Sequence, residues 1–246
     1  MGSDVNSVVK IAFLFPGQGS QSTGMGKEFY EVSSMAKRMF DEAGEMLRLD
    51  IADLCFNGPS EQLMLTENTQ PALLIHSTIA LNMLRENGIN AELVAGHSLG
   101  EYSASVAAGS IEFLDAVRLV QLRGRFMQEA VPVGVGGMAA ILGMPLVNIH
   151  ALCDRVSEDG RIVQPANLNG VEQIVIAGHL SAVEEVSRLA SETGAIKSVM
   201  LPVSAPFHCP LMKPAEIKLQ KELEQTEFKD HQFPVVCNVD AQSITE

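Results

Sequence analysis

Residues 96–102, Gly-His-Ser-Leu-Gly-Glu-Tyr, set a serine between two glycines in the pattern G-x-S-x-G. A serine hydroxyl is a weak nucleophile until a base takes its proton. Here the pattern helps by geometry. Its glycines let the chain take a strained strand-to-helix bend and leave room beside the hydroxyl. A helix that begins at the serine turns its free N–H groups, and the positive end of its dipole, toward a reacting carbonyl. The N–H of Leu99, one residue on, is then a natural donor to an oxyanion. Ser98 is a candidate nucleophile on these grounds; the plainer alternative is a tight turn that only needs small residues.

The base for such a serine should be a histidine, and the chain has six. His76 reads as a helix packing residue, and His97 points away if the turn is an elbow. His150 and His179 fall where surface roles are expected, and His231 sits in a charged stretch. His208 lies in the segment 204–212, Ser-Ala-Pro-Phe-His-Cys-Pro-Leu-Met, stiffened by Pro202, Pro206 and Pro210. Fixing a base takes that stiffness, so His208 is favoured. Cys209 beside it is a weaker rival nucleophile. The four cysteines (Cys55, Cys153, Cys209, Cys237) show neither a C-x-x-C pair nor metal-ligand spacing. They read as reduced, packed thiols of a cytoplasmic protein, with no metal site expected.

These residues need elements to hold them. The apolar run Val9–Phe15 reads as a buried parallel strand ending in the glycine-rich turn Pro-Gly-Gln-Gly-Ser. A helical pattern spans about Tyr30–Arg48, and a short helix follows the turn at 57–63. Another helix is expected from an N-cap at Thr69 with Pro71 in its first turn, running to about Gly88. A strand at 91–96 leads into the serine turn and a helix reaching about Gly109. Ser110 can cap a further helix that stops at Pro132. Beyond the glycine-rich hinge at 131–137 the pattern is strand, helix, strand, strand, helix, strand over 138–201, a ferredoxin-like arrangement. The chain then returns through the His208 segment, a helix at Ala215–Glu224 and a strand at Pro234–Val239. The last seven residues, 240–246, read as a connection cut short, and residues 1–7 as a disordered start.

Of the 246 residues, 46 % are hydrophobic and 19 % charged, enough for a substantial core and too apolar for global disorder. The formal net charge of −13 argues against nucleic acid and anionic membranes as partners. No run approaches the ~18 apolar residues of a membrane span, and the N-terminus lacks the features of a secretory signal.

Four motifs in order carry a resemblance: Phe-Leu-Phe-Pro-Gly-Gln-Gly-Ser-Gln at 13–21, Gly-His-Ser-Leu-Gly-Glu-Tyr-Ser-Ala at 96–104, Leu-Arg-Gly-Arg-Phe-Met at 122–127, and Pro-Val-Ser-Ala-Pro-Phe-His-Cys-Pro-Leu-Met at 202–212. Together they resemble the malonyl-CoA:acyl carrier protein transacylases and the acyltransferase domains of fatty acid and polyketide synthases, from about Val9 to Val239. The resemblance implies an α/β-hydrolase-like parallel-sheet domain, residues 8–133 and 202–246, carrying the ferredoxin-like small domain at 134–201. It implies that Ser98 takes the acyl group, that His208 is its base, and that Gln18 and the Leu99 N–H form the oxyanion hole. Spacing alone does not choose among Arg118, Arg123 and Arg125 as the anchor for a substrate carboxylate; the resemblance points to Arg123. Met127, at i+4 from Arg123, faces the same way and is a candidate to line the acyl pocket, an ordinary core methionine being the alternative; the resemblance implies that Phe207, before the histidine, crowds out an α-methyl branch.

The function so implied is transfer of a malonyl group from malonyl-CoA to the phosphopantetheine thiol of acyl carrier protein, supplying fatty acid synthesis. No metal or redox cofactor is expected, because thioester exchange needs only nucleophile, base and oxyanion donors. A monomer is expected. The carrier is expected to be acidic and to dock on a local basic rim, with Lys197 and Arg188 as candidates. In the family a further helix, strand and helix follow the 234–240 region and include a glutamine whose carbonyl holds the histidine; this sequence stops before them. Polyketide acyltransfer is one alternative. A serine esterase or thioesterase is another, with Asp115, Asp154 or Asp159 as the acid, although no HGGG-type loop is present. The last is a non-catalytic fold that only docks carrier protein.

Overall fold

The computed structural model describes residues 10–158, 160–203 and 205–245. Residues 1–9, and with them the expected disordered start and the first residue of the expected strand, lie outside it. The chain divides into two compact units, one of residues 1–124 with 222–246 and one of residues 125–221.

In the first unit β1 (Ala12–Phe15) is followed by five helices: α1 (Lys27–Val32), α2 (Ser34–Leu47), α3 (Ile51–Asn57), α4 (Ser60–Leu63) and α5 (Thr66–Glu86). The single helix expected over Tyr30–Arg48 is broken. Ser33 takes an extended conformation and its hydroxyl accepts the Ala36 N–H at 3.2 Å, so it caps α2 instead of continuing α1. α5 also begins earlier than expected. Thr69 is not its cap; its buried hydroxyl donates to the Leu63 carbonyl at 2.6 Å, and Pro71 sits in the second turn. Pairing the Thr69 hydroxyl with a backbone carbonyl satisfies a group that would otherwise be buried unpaired.

After α5 come β2 (Leu93–Gly96), α6 (Gly100–Ala107) and α7 (Phe113–Ala130). Ser110, expected as a cap, instead donates its hydroxyl to Ser105 O at 3.2 Å, and α7 starts three residues later. In the second unit β3 (Gly136–Leu142), α8 (Leu146–Val156), β4 (Val163–Gly170), β5 (Gln173–His179), α9 (Leu180–Glu192) and β6 (Lys197–Met200) form an antiparallel sheet of order β4-β5-β3-β6. Ile141, Ile149, Val163, Ile174, Ile176, Val183 and Val186 are buried together as its core. A 3₁₀ turn at Pro210–Met212 leads into α10 (Lys213–Leu223), then β7 (Val235–Val236) and β8 (Ser243–Ile244).

The first unit's sheet has the order β1-β2-β7-β8. β1, β2 and β7 run parallel, in the register Phe15 with Gly96 and Ala95 with Val236; β8 is antiparallel to β7. Phe15, Leu81, Val94, Ala104, Ala107 and Val235 pack as its core. β1 is not buried on both faces as its apolar run suggests. It is an edge strand, and Leu14 is 77 % exposed. Cys55, Cys153 and Cys209 are buried and Cys237 is partly exposed; burial pushes the Cys55 and Cys153 thiols up to about 12. No helix among the described residues is long and apolar enough to cross a membrane.

Candidate active site

In an open parallel sheet, ligands bind beyond the carboxyl ends of the strands. The first unit places three loops there: Pro16–Gln18 after β1, His97–Leu99 after β2, and Cys237–Asn238 after β7. Ser98 sits at the bend between β2 and α6 with φ +54°, in the left-handed region that costs a side-chain-bearing residue about 1–2 kcal/mol. Gly100 makes the bend possible, because a Cβ there would overlap the Phe15 carbonyl at the end of β1. The expected elbow is thus formed. The backbone N–H groups of Leu99 and Gln18 have no acceptor among the described residues, whereas the Ser98 N–H donates to Asn238 Oδ1 at 3.0 Å. The Gln18 side-chain amide donates to Thr66 Oγ1 at 3.2 Å, which leaves its main-chain N–H as the donor available to an oxyanion.

The three arginines left open by spacing have separate fates. Arg118 donates to Glu222 Oε2 at 2.7 Å and to Thr226 Oγ1 at 3.2 Å. Arg125 lies over the Phe126 ring and 3.9 Å from Glu129. Arg123 donates from Nη2 to Ser98 Oγ at 3.1 Å and from Nη1 to Gln70 Oε1 at 2.8 Å, and it lies over the Tyr102 ring. Gly124 lets α7 come this close to α5, since a Cβ there would stand 2.5 Å from the Thr66 carbonyl oxygen. Burial pushes the Arg123 guanidinium below its ordinary value, while Tyr102 and Glu101 push it back up. Burial in turn raises the Tyr102 phenol, against the pull of Arg123.

His208, Met127 and Phe207 belong to the second unit. His208 is exposed, with φ +59°, in the proline-stiffened segment. Met127 and Phe207 share one buried apolar cluster with Met138, Val175 and Met212. Cys209 is buried there too. Its thiol donates to Pro206 O at 3.1 Å and burial raises its pKa, so it is a poor nucleophile. Two of the other histidines have structural surroundings: His76 stacks on Phe29, and His179 Nδ1 accepts the Ile162 N–H at 2.9 Å. Of the carboxylates considered for a hydrolase triad, Asp115 and Asp154 lie within α7 and α8 rather than in a loop after a strand; Asp159 lies outside the described residues. No group of three or more His, Cys, Asp or Glu among the described residues is placed to hold a metal ion.

Sequence reasoning did not single out Gln70, Glu101 or Asn238. Gln70 had one signal, a polar side chain within the apolar face of α5, where it is buried. Asn238 had none, because its partners are 137–142 residues away along the chain.

The chain matches the family described as acyl transferase domain over residues 12–246. It is similar to the malonyl CoA-acyl carrier protein transacylase of Bacillus subtilis, 54 % identical over 237 residues covering 96 % of this chain and 75 % of that protein. The protein of that name from Salmonella typhimurium is 47 % identical, over 97 % of this chain and 77 % of the relative. Among solved structures, the malonyl CoA-acyl carrier protein transacylase from Coxiella burnetii superposes with a TM-score of 0.94 at 42 % identity, covering 96 % of this chain and 75 % of that one. A malonyl-transacylase in complex with its type II polyketide acyl-carrier protein gives 0.93 at 45 % identity, covering 97 % and 77 %.

Proposed function

The chain belongs to the acyl transferase family, and from that premise we propose that it moves a malonyl group from malonyl-CoA to the phosphopantetheine thiol of acyl carrier protein, for fatty acid synthesis. One observation carries the substrate: the guanidinium of Arg123 stands 3.1 Å from the Ser98 hydroxyl. An unpaired cation beside a nucleophile is costly unless an anion comes to it. A malonyl thioester brings that anion, and a guanidinium can grip both of its oxygens. Acetyl-CoA has no second carboxylate to offer.

The steps balance as two acyl transfers, thioester to serine ester and serine ester to thioester, whose sum is one thioester exchange. The Ser98 oxygen attacks the malonyl carbonyl, the tetrahedral oxyanion rests on the N–H groups of Leu99 and Gln18, and CoA leaves as its thiol with the serine's proton. The carrier thiol then attacks the malonyl-serine ester and restores the hydroxyl. His208 serves as base in both halves, on the strength of its match to the family motif. Met127 and Phe207 bound the acyl chain, and a pocket contact of one methyl gives about 1–3 kcal/mol of selectivity against a branched extender. Nothing in this chemistry calls for a metal or redox cofactor. Parallel β1, β2 and β7 with the elbow after β2 support an α/β-hydrolase-like domain, and the order β4-β5-β3-β6 supports a ferredoxin-like one. The reading extends to a cytoplasmic protein, supported by four unpaired thiols, to a monomer and to an acidic carrier.

Intact-mass measurement tests the reading. Mixed with malonyl-CoA, the chain should gain about 86 Da, one malonyl group on a serine, and lose it on adding holo-carrier with malonyl-carrier as product. Ser98→Ala should gain nothing. Free malonate as the main product would establish a hydrolase instead, and no adduct at all would leave a docking fold.

A further inference from the structure

The Ser98 bend is tied to the rest of the sheet through one side chain. Asn238, two residues past β7, receives the Ser98 N–H on Oδ1 at 3.0 Å. Its Nδ2 donates to the carbonyl of Gly96, the last residue of β2, at 2.7 Å, and to Glu101 Oε2 in the first turn of α6. Its backbone N–H donates to the same Glu101 oxygen at 3.1 Å. A single planar amide therefore touches the strand before the bend, the nucleophile at the bend and the helix after it. Its orientation is unambiguous, because the Ser98 N–H only donates, while the Gly96 carbonyl and the Glu101 carboxylate only accept. An aspartate could accept but not donate, and an alanine could do neither.

We propose that Asn238 and Glu101 form a positioning clamp for the nucleophile, which rests on reading Ser98 as the acyl carrier. The clamp does three things. It holds Ser98 at φ +54°, a conformation that persists only where the surroundings over-determine it. It occupies the Ser98 N–H, so that the Leu99 N–H is the elbow's donor to the oxyanion. It also gives the Glu101 carboxylate two donors, which offsets an anion next to the place where negative charge develops.

The test compares the parent chain with Asn238→Asp, Glu101→Gln and the double variant. Two quantities are read: exchange of the Ser98 amide hydrogen by NMR, and the rate of malonyl attachment against malonyl-CoA concentration. Asn238→Asp sets a carboxylate against Glu101. Above neutrality, Ser98 amide exchange should rise by about tenfold and the maximal attachment rate should fall by about tenfold, with KM for malonyl-CoA changed less than about twofold. Two carboxylates at one site share a proton as pH falls. The ratio of variant to parent should therefore recover in mild acid for both readouts. It should also recover in part above neutrality in the double variant, where the new amide at 101 donates to the new carboxylate at 238 while the Gly96 carbonyl still lacks its donor. Unchanged Ser98 exchange in Asn238→Asp overturns the clamp. Lost attachment that neither acid nor the double variant restores overturns its positioning role. If the parent itself takes no malonyl group, the functional reading falls, and amide exchange still decides the clamp.

Discussion

Arg123 shares its guanidinium between the Ser98 hydroxyl and Gln70, and that division sets what each residue should do when changed. Hydrogen bonds to charged groups are worth about 1.5–3 kcal/mol. Arg123→Ala should therefore lower malonyl transfer by about ten- to a hundredfold and shift the malonyl-to-acetyl ratio toward acetyl; an unchanged ratio would remove the substrate assignment. Arg123→Lys should not restore it, since an ammonium lacks the planar fork. Gln70→Leu should raise KM for malonyl-CoA by about tenfold with kcat nearly kept, because it loosens the anchor and leaves Ser98 alone. Ser98 can be singled out from its pentapeptide and Arg123 only through the family resemblance, and the two side chains lie 3.1 Å apart. Gln70 and Asn238 cannot be singled out, because their roles depend on partners brought near only by the sheet and by the close approach of α7 to α5.

The elbow is the element on which the site turns, and its strain is measurable. Ser98→Ala and Ser98→Gly remove the same hydroxyl and differ in the cost of a left-handed backbone. The glycine variant should be the more stable by about 1 kcal/mol, the left-handed penalty being offset in part by glycine's greater freedom when unfolded. That corresponds to about 2–4 °C in Tm for a chain of this size; equal midpoints would show that the bend is unstrained. Element types were largely legible from hydrophobic period, and the order read over 138–201 is that of β3, α8, β4, β5, α9 and β6. The failures share a physical origin. Thr69 and Ser110 are expected as caps from the preference of their residue types for helix starts, but their hydroxyls donate instead to the Leu63 and Ser105 carbonyls, a short way upstream in the chain. Ser33 does cap a helix, at a break that an unbroken apolar pattern hid.

At the scale of the whole molecule the formal charge of −13 bears on where a carrier could dock. Arg118, Arg125, Arg161, Arg188, Lys213, Lys218 and Lys229 all face carboxylates of the chain itself. Arg188, one of the two candidates for a basic rim, is gripped by both oxygens of Glu192 at 2.7 and 2.8 Å. Lys197, exposed at the start of β6, makes no ion pair among the described residues and is the better candidate. Lys197→Glu should raise KM for the carrier several-fold, roughly 1 kcal/mol of lost attraction, and leave KM for malonyl-CoA unchanged. Added salt should weaken carrier transfer in the parent more than in the variant. The burial of Cys55, Cys153 and Cys209 has its own consequence. Activated acyl groups pass readily to sulfur, and a protein that handles them all day risks acylating itself at the wrong atom. Three thiols are sealed away in apolar surroundings, and at the fourth, Cys237 beside the bend, slight burial and the carboxylates of Glu101 and Asp240 raise the pKa and keep the sulfur protonated, so the incoming electrophile finds oxygen the more willing acceptor.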